Sequence, residues 1–210
     1  MKTEMNETGI LEAIEADAHH GDMLGALDKL LTMVARWPEN AEGWHLLMIC
    51  LEALEAREEV PEHCGWRSHD ARSRVQSLDV AQARTTSLRI PHREFDQILV
   101  ETINDLNDEI RSAIDQVAIR VEELPPPEII FGADPIDPRL LGLFVGPTWA
   151  DLRSGMSVTD QPSTIFVFQR NLERAFPEFG QLIEEIRTTF LHEIGHFLGY
   201  NDRELAAKGL

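Results

Sequence analysis

An α+β fold behind an all-α N-terminal region is the architecture this sequence predicts. Between residues 8 and 56, apolar side chains recur only at helical spacing. From Phe95 onward the order is helix, three short strand-like runs and a last helix. That order suits an α+β domain rather than alternating βα units. The 210 residues leave room for one or two ordinary domains, and 43% hydrophobic with 27% charged residues is globular composition.

The N-terminal stripes come in sequence. Ile10, Leu11, Ile14 and Ala18 form the first, and Gly21 is its natural stop. Met23, Leu24, Leu27, Leu30, Leu31 and Val34 form the second, which Pro38 ends. Asn40 is a good cap for a third helix carrying Trp44, Leu47, Met48 and Leu51 on one face. The run ALDKLLTMVARWPENAEGWHLLMICLEAL, with Pro38, Ala41, Trp44, Leu47 and Leu51 in place, resembles part of a tetratricopeptide repeat. A plain helical hairpin is the alternative. The resemblance implies a packing or docking module for a protein partner, since one repeat cannot build a solenoid groove.

Residues 61–93 are rich in charge and turn formers and are expected to be a linker, partly helical, between a 1–60 region and a 94–210 domain. Phe95, Ile98, Leu99, Ile103, Leu106, Ile110 and Ile114 then predict one long amphipathic helix. VAIRVEEL alternates like a strand and Pro125-Pro126-Pro127 stops it. EIIFG reads as a short strand or extended loop, LLGLFVG as a second strand, and PTWADLRSGMSVTDQPS as a loop. STIFVFQRNLE reads as a third strand, and a final helix is expected from about Phe179 to Leu198.

Composition narrows the function classes. With 37 acids against 19 bases the formal charge is −18, which argues against nucleic acid or an anionic membrane surface as partner. Only Cys50 and Cys64 occur, too few for a disulfide scaffold or an all-thiolate zinc site. No run of about 18 apolar residues is present. The acidic N-terminus lacks the apolar stretch of a secretory signal, so a cytoplasmic location with reduced thiols is expected.

The chemistry concentrates in the last helix, at His192-Glu193-Ile194-Gly195-His196. Residues i and i+4 share a helix face, so His192 and His196 can aim at one ion. Glu193 sits about 100° around the helix, where it can reach a water on that ion without becoming a ligand. Zinc acidifies such a water and the carboxylate takes its proton. Chance would produce this pattern only about 0.03 times in a chain of this composition. Leu182, Ile183, Ile186, Phe190, Ile194 and Phe197 occupy the other side of the helix, as burial of one face requires.

A third protein ligand is expected. Only 14 residues follow His196, and the last methionine, Met156, precedes the helix. A glutamate on a separate downstream helix or a methionine turn is therefore not expected. Gly199 can end the helix in a left-handed turn and return the chain so that Asp202 reaches the ion, completing HExxHxxGxxD. Glu204 is the second candidate. Tyr200, the only tyrosine, can either pack or donate to an oxyanion. His19, His20, His45, His63, His69 and His92 show no ligand spacing with one another.

VEELPPPE, LLGLFVG, STIFVFQRNLE and EEIRTTFLHEIGHFLGYNDRELAAKGL together resemble the bacterial zinc metallopeptidases with a minimal metalloprotease-like (zincin) fold. The likeness runs from about Phe95 to the C-terminus. It implies a compact zincin-like domain without a methionine turn. It implies Zn²⁺ held by His192, His196 and Asp202, with Glu193 as general base and a peptide or protein as substrate. STIFVFQRN reads either as an edge strand along which an extended peptide could lie or as an ordinary core strand. The rival expectation is a zinc-stabilised interaction module with weak or no hydrolase activity, closed by a fourth ligand such as Cys50 or Cys64. Glu193 speaks for hydrolysis, because a purely structural site has no use for it.

Overall fold

Three side chains start the first three helices. Asn6, Asp22 and Asn40 each accept a hydrogen bond from the backbone N–H three residues on, at 3.0, 2.9 and 2.6 Å. Each satisfies a donor that the first helical turn leaves orphaned. They open α1 (Glu7–His19), α2 (Met23–Arg36) and α3 (Ala41–Glu55). The computed structural model describes residues 6–155 and 162–210. The chain divides into two units between Thr86 and Ser87.

Every regular element among the described residues of the first unit is a helix. A single-turn 3₁₀ segment, Glu62–Cys64, leads into α4 (Ser68–Ala83). Ala71, Val75 and Leu78 of α4 are buried in one core with Leu30, Met33, Leu47 and Leu51. Glu55 accepts from both the N–H and the hydroxyl of Ser68, at 2.9 and 2.5 Å, and Arg72 pairs with Glu52. Within the stretch expected as a partly helical linker over 61–93, Ser68–Ala83 form this packed helix. Its stripe is short and built partly from alanine, so the surrounding charges of SHDARSR mask it in the sequence.

Residues just after the division belong to the second unit. The N–H groups of Arg89 and Ile90 donate to the Glu173 carboxylate at 3.0 and 3.1 Å. Gln169 Nε2 donates to both Glu173 and the Ile90 carbonyl. Glu173→Ala strips these buried donors of their acceptor, and such orphaned groups cost about 1–3 kcal/mol each. Urea unfolding of the variant is expected to show stability lower by about 2–4 kcal/mol with an unchanged slope. An unchanged midpoint would mean that water replaces the carboxylate.

The second unit is α+β. Its elements are α5 (His92–Asn104), α6 (Asp108–Ile114), β1 (Ala118–Glu122), α7 (Pro127–Ile130), β2 (Gly142–Val145), α8 (Trp149–Ser154), β3 (Thr164–Phe168), α9 (Gln169–Ala175), α10 (Phe179–Phe197) and α11 (Asp202–Ala206). The three strands form one sheet in the order β1-β3-β2, with β1 parallel and β2 antiparallel to β3. The apolar face of α10 and the side chains of α5 complete a core around Phe95, Ile165, Val167, Phe190 and Phe197.

Four local expectations change. The long helix from Phe95 is broken, because Asn107 accepts from Ile110 N–H at 3.0 Å and so restarts the chain as α6. EIIFG is not extended: Pro127 preorganises the first turn of α7, and Ile130 is buried. Within PTWADLRSGMSVTDQPS, Thr148 and Asp151 form a capping box that nucleates α8. Residues 156–161 of that stretch lie outside the described residues. STIFVFQRNLE is a strand only to Phe168, after which Gln169, Asn171 and Glu173 turn inward as α9.

Candidate metal centre

The apolar stripe of α10 is buried at Leu182, Ile186, Phe190, Ile194 and Phe197. Burial of that stripe leaves His192 and His196 on the opposite, solvent-facing side. The helix ends at Phe197, and Gly199 then takes φ +99°, a conformation costly for any residue with a Cβ. Tyr200 N–H donates back to the Gly195 carbonyl at 3.0 Å, and the chain reverses. Asn201 and Glu204 form a capping box that starts α11: Asn201 Oδ1 accepts from Glu204 N–H at 3.0 Å, and Glu204 Oε2 accepts from Asn201 N–H at 2.9 Å.

The reversal sets Asp202 over the two imidazoles. Asp202 Oδ1 lies 3.4 Å from His192 Nε2 and 3.2 Å from His196 Nε2, and the two nitrogens are 3.0 Å apart. A tetrahedral zinc with ligands at about 2.0–2.1 Å separates its donors by about 3.4 Å. The triangle is thus close to one face of such a tetrahedron, and the N₂O donor set suits zinc chemically. His196 Nδ1 lies 3.0 Å from the Tyr200 carbonyl oxygen. An Nδ1–H donating there leaves the Nε2 lone pair for an ion.

Glu204, the second candidate for the third ligand, is not in this group; its carboxylate is engaged by the Asn201 N–H. Among the described residues the cluster holds three donors, and the Asp202 side chain is 86% exposed. One side of the site therefore faces solvent. Cys50 and Cys64 are buried in the core of the first unit. Burial, and secondarily the neighbouring Cys64, pushes the Cys50 thiol up to about 11.

Glu193 occupies a different environment from the donors. It is 7% exposed and lies against β2. Burial pushes its carboxyl up to about 7; the His196 charge and the Phe144 N–H pull it down, and the Asp202 carboxylate pushes it up. Gly142 makes this position possible. A Cβ on Gly142 would stand 2.9 Å from both Glu193 Cγ and Thr189 Cγ2, so only glycine lets β2 come this close to α10. Spacing within the helix does not announce Gly142 as part of the site; its only trace in the sequence is a glycine interrupting an apolar strand.

Glu193, His192, His196 and Asp202 line one cleft of ≈ 500 Å³, with Gly142 to Phe144 along its rim. Of the two readings of STIFVFQRN, the structure has the core strand and not the edge strand. β3 is the central strand and all five of its residues are buried. The edge beside the cleft is β2. The Leu141 carbonyl accepts from Phe168 N–H in β3 at 2.9 Å, so alternation turns the backbone groups of Gly142 and Phe144 toward the open edge.

Residues 114–210 match the model of a family described as Zincin-like metallopeptidase. The second unit is accordingly a zincin-like α+β domain, preceded by an all-α region. The match lies wholly within that unit and leaves out α5. At family level it supports a zinc metallopeptidase. No curated protein matches the chain. No helix among the described residues is long and apolar enough to cross a membrane.

Proposed function

We propose that this protein is a zinc-dependent peptidase in which His192, His196 and Asp202 hold the ion and Glu193 is the general base. The observation that carries the reading is the three-donor triangle, open on one side, with a buried carboxylate on the wall of the same cleft. Structural zinc sites close all four positions with protein ligands, whereas catalytic sites keep one for water or substrate. When bound, zinc supplies Lewis acidity to the attacking water and to the scissile carbonyl.

The chain's own groups do the rest. The Nδ1–H contact to the Tyr200 carbonyl holds His196 in the ligating tautomer. Glu193 takes the proton of the attacking water and passes it to the departing amine. Its burial makes it a stronger base than an exposed carboxylate, while the Phe144 N–H holds it at the cleft wall. The open edge of β2 offers the Gly142 backbone groups and the Phe144 carbonyl to an extended peptide, which would dock by adding a strand, while the Phe144 N–H is held by Glu193.

The test is metal content together with cleavage of a diverse peptide library by the full chain. One zinc per chain is expected, with cleavage lost to a chelator and restored by added zinc. A chain that takes up no zinc removes the proposal. Zinc without cleavage of any peptide would leave the site a binding centre alone.

A further inference from the structure

α11 carries Asp202, yet it is only five residues long and cannot hold itself in place by its own hydrogen bonds. Its one buried side chain is Leu205, at 1% exposure. That side chain sits over Gly195 of α10. A Cβ on Gly195 would meet Leu205 Cδ2 at 2.3 Å and Leu205 Cδ1 at 3.2 Å, so Leu205 fills the space that any other residue at 195 would need. Gly195 is the residue between Glu193-Ile194 and His196, one helical turn after His192. The notch therefore lies in the same stretch of helix that presents both imidazoles.

We infer that Leu205, seated in the Gly195 notch, is the positioning residue that sets Asp202 at the metal. This rests on the ligand assignment proposed above and adds to it the device that delivers the third ligand. Asp202 itself is exposed and makes no described contact besides the two histidines. The capping box orders the first turn of α11 internally but does not attach it to α10. The turn before α11 is tied to α10 by the Tyr200 N–H bond to the Gly195 carbonyl and by the His196 Nδ1 contact with the Tyr200 carbonyl, whereas α11 itself is seated by Leu205, again on Gly195. Leu205 thus links the packing of a small apolar side chain to the donor geometry three residues upstream.

The experiment is zinc affinity by chelator competition on the full chain, for wild type, L205A, L205M, G195A, D202A and the D202A/L205A double variant, with far-UV circular dichroism on each. L205A is expected to weaken zinc about 10-fold or more, in the range that outer-shell partners command. L205M, which keeps the volume, should stay within about threefold. G195A should weaken zinc as L205A does, although alanine favours the helix itself. In the D202A background, L205A should cost no further affinity, because Leu205 acts through Asp202. Additive losses in the double variant, with D202A weakened by itself, would overturn the positioning role alone. Wild-type zinc affinity in D202A would instead overturn the ligand assignment, and this inference with it. If L205A fails to fold, G195A alone decides: unchanged affinity there removes the notch.

Discussion

Glu193→Gln is expected to abolish peptide hydrolysis while leaving zinc bound. Glutamine fills the same space between α10 and β2 and can still meet the Phe144 backbone, but it cannot take a proton from water. Positioned general bases contribute about 10²–10⁴-fold, and this carboxylate is asked to act twice, on the water and on the leaving amine, so kcat should fall by at least that factor. Zinc content should be unchanged, since Glu193 is not among the three converging donors. Equal activity in wild type and variant would remove Glu193 from the reaction.

The same substitution has an opposite effect on the metal-free protein. The folded-state value of Glu193 is raised from 4.5 to about 7, chiefly by burial. A raised carboxyl contributes stability that is present below pH 4.5 and lost as pH rises through about 7. Above that window the charged carboxylate stays buried at a cost on the order of 3 kcal/mol. Metal-free Glu193→Gln should therefore melt higher than metal-free wild type at pH 8 and equal to it near pH 4. A bound cation favours the carboxylate and should narrow the gap at pH 8. Scanning calorimetry at the two pH values, with and without zinc, reads all of this directly.

Asp202→Ala is expected to weaken zinc by about 100-fold or more, because a lost ligand should cost at least as much as a lost outer-shell partner. Glu204→Ala should cost far less. It removes one half of the Asn201–Glu204 capping box, worth about 1 kcal/mol, and so lowers affinity about fivefold through looser ordering of α11. The two acids are two residues apart and both lie in the first turn of α11, so general charge attraction would weaken both variants alike. Reversal of the order, measured by chelator competition, would move the third ligand to Glu204.

Much of this architecture is legible from residue order. Helices α1 to α3, strands β1 and β2 and helix α10 follow from apolar spacing, from caps such as Asn40 and from stops such as Gly21 and Pro38. The histidine pair follows from its helical spacing. Elements whose signal depends on contacts far along the chain are harder to read. α4 is held by a thin stripe of Ala71, Val75 and Leu78 and by Glu55 and Glu52 of α3. α9 begins at Gln169 because polar side chains there find buried partners, among them the Ile90 carbonyl and the Pro138 carbonyl. β3 gains its central place from pairing on both sides, which no alternation within STIFVFQRNLE can reveal.

By itself, the sequence determined which side chains can carry the chemistry: two imidazoles one turn apart, a carboxylate beside them, and two acids shortly after a glycine. Those are properties of local spacing, and a helix turns spacing into geometry without help. Only the tertiary structure shows which acid lies beside the imidazoles and how deeply Glu193 is buried. Asp202 reaches the imidazoles because Gly199 reverses the chain and Leu205 seats on Gly195, while the Glu204 carboxylate turns to the Asn201 N–H. Glu193 gains its raised proton affinity because Gly142, some fifty residues earlier in the chain, lets β2 close over it. Close approach between distant backbones is a matter of space left empty, and an absent side chain leaves little signal in a sequence.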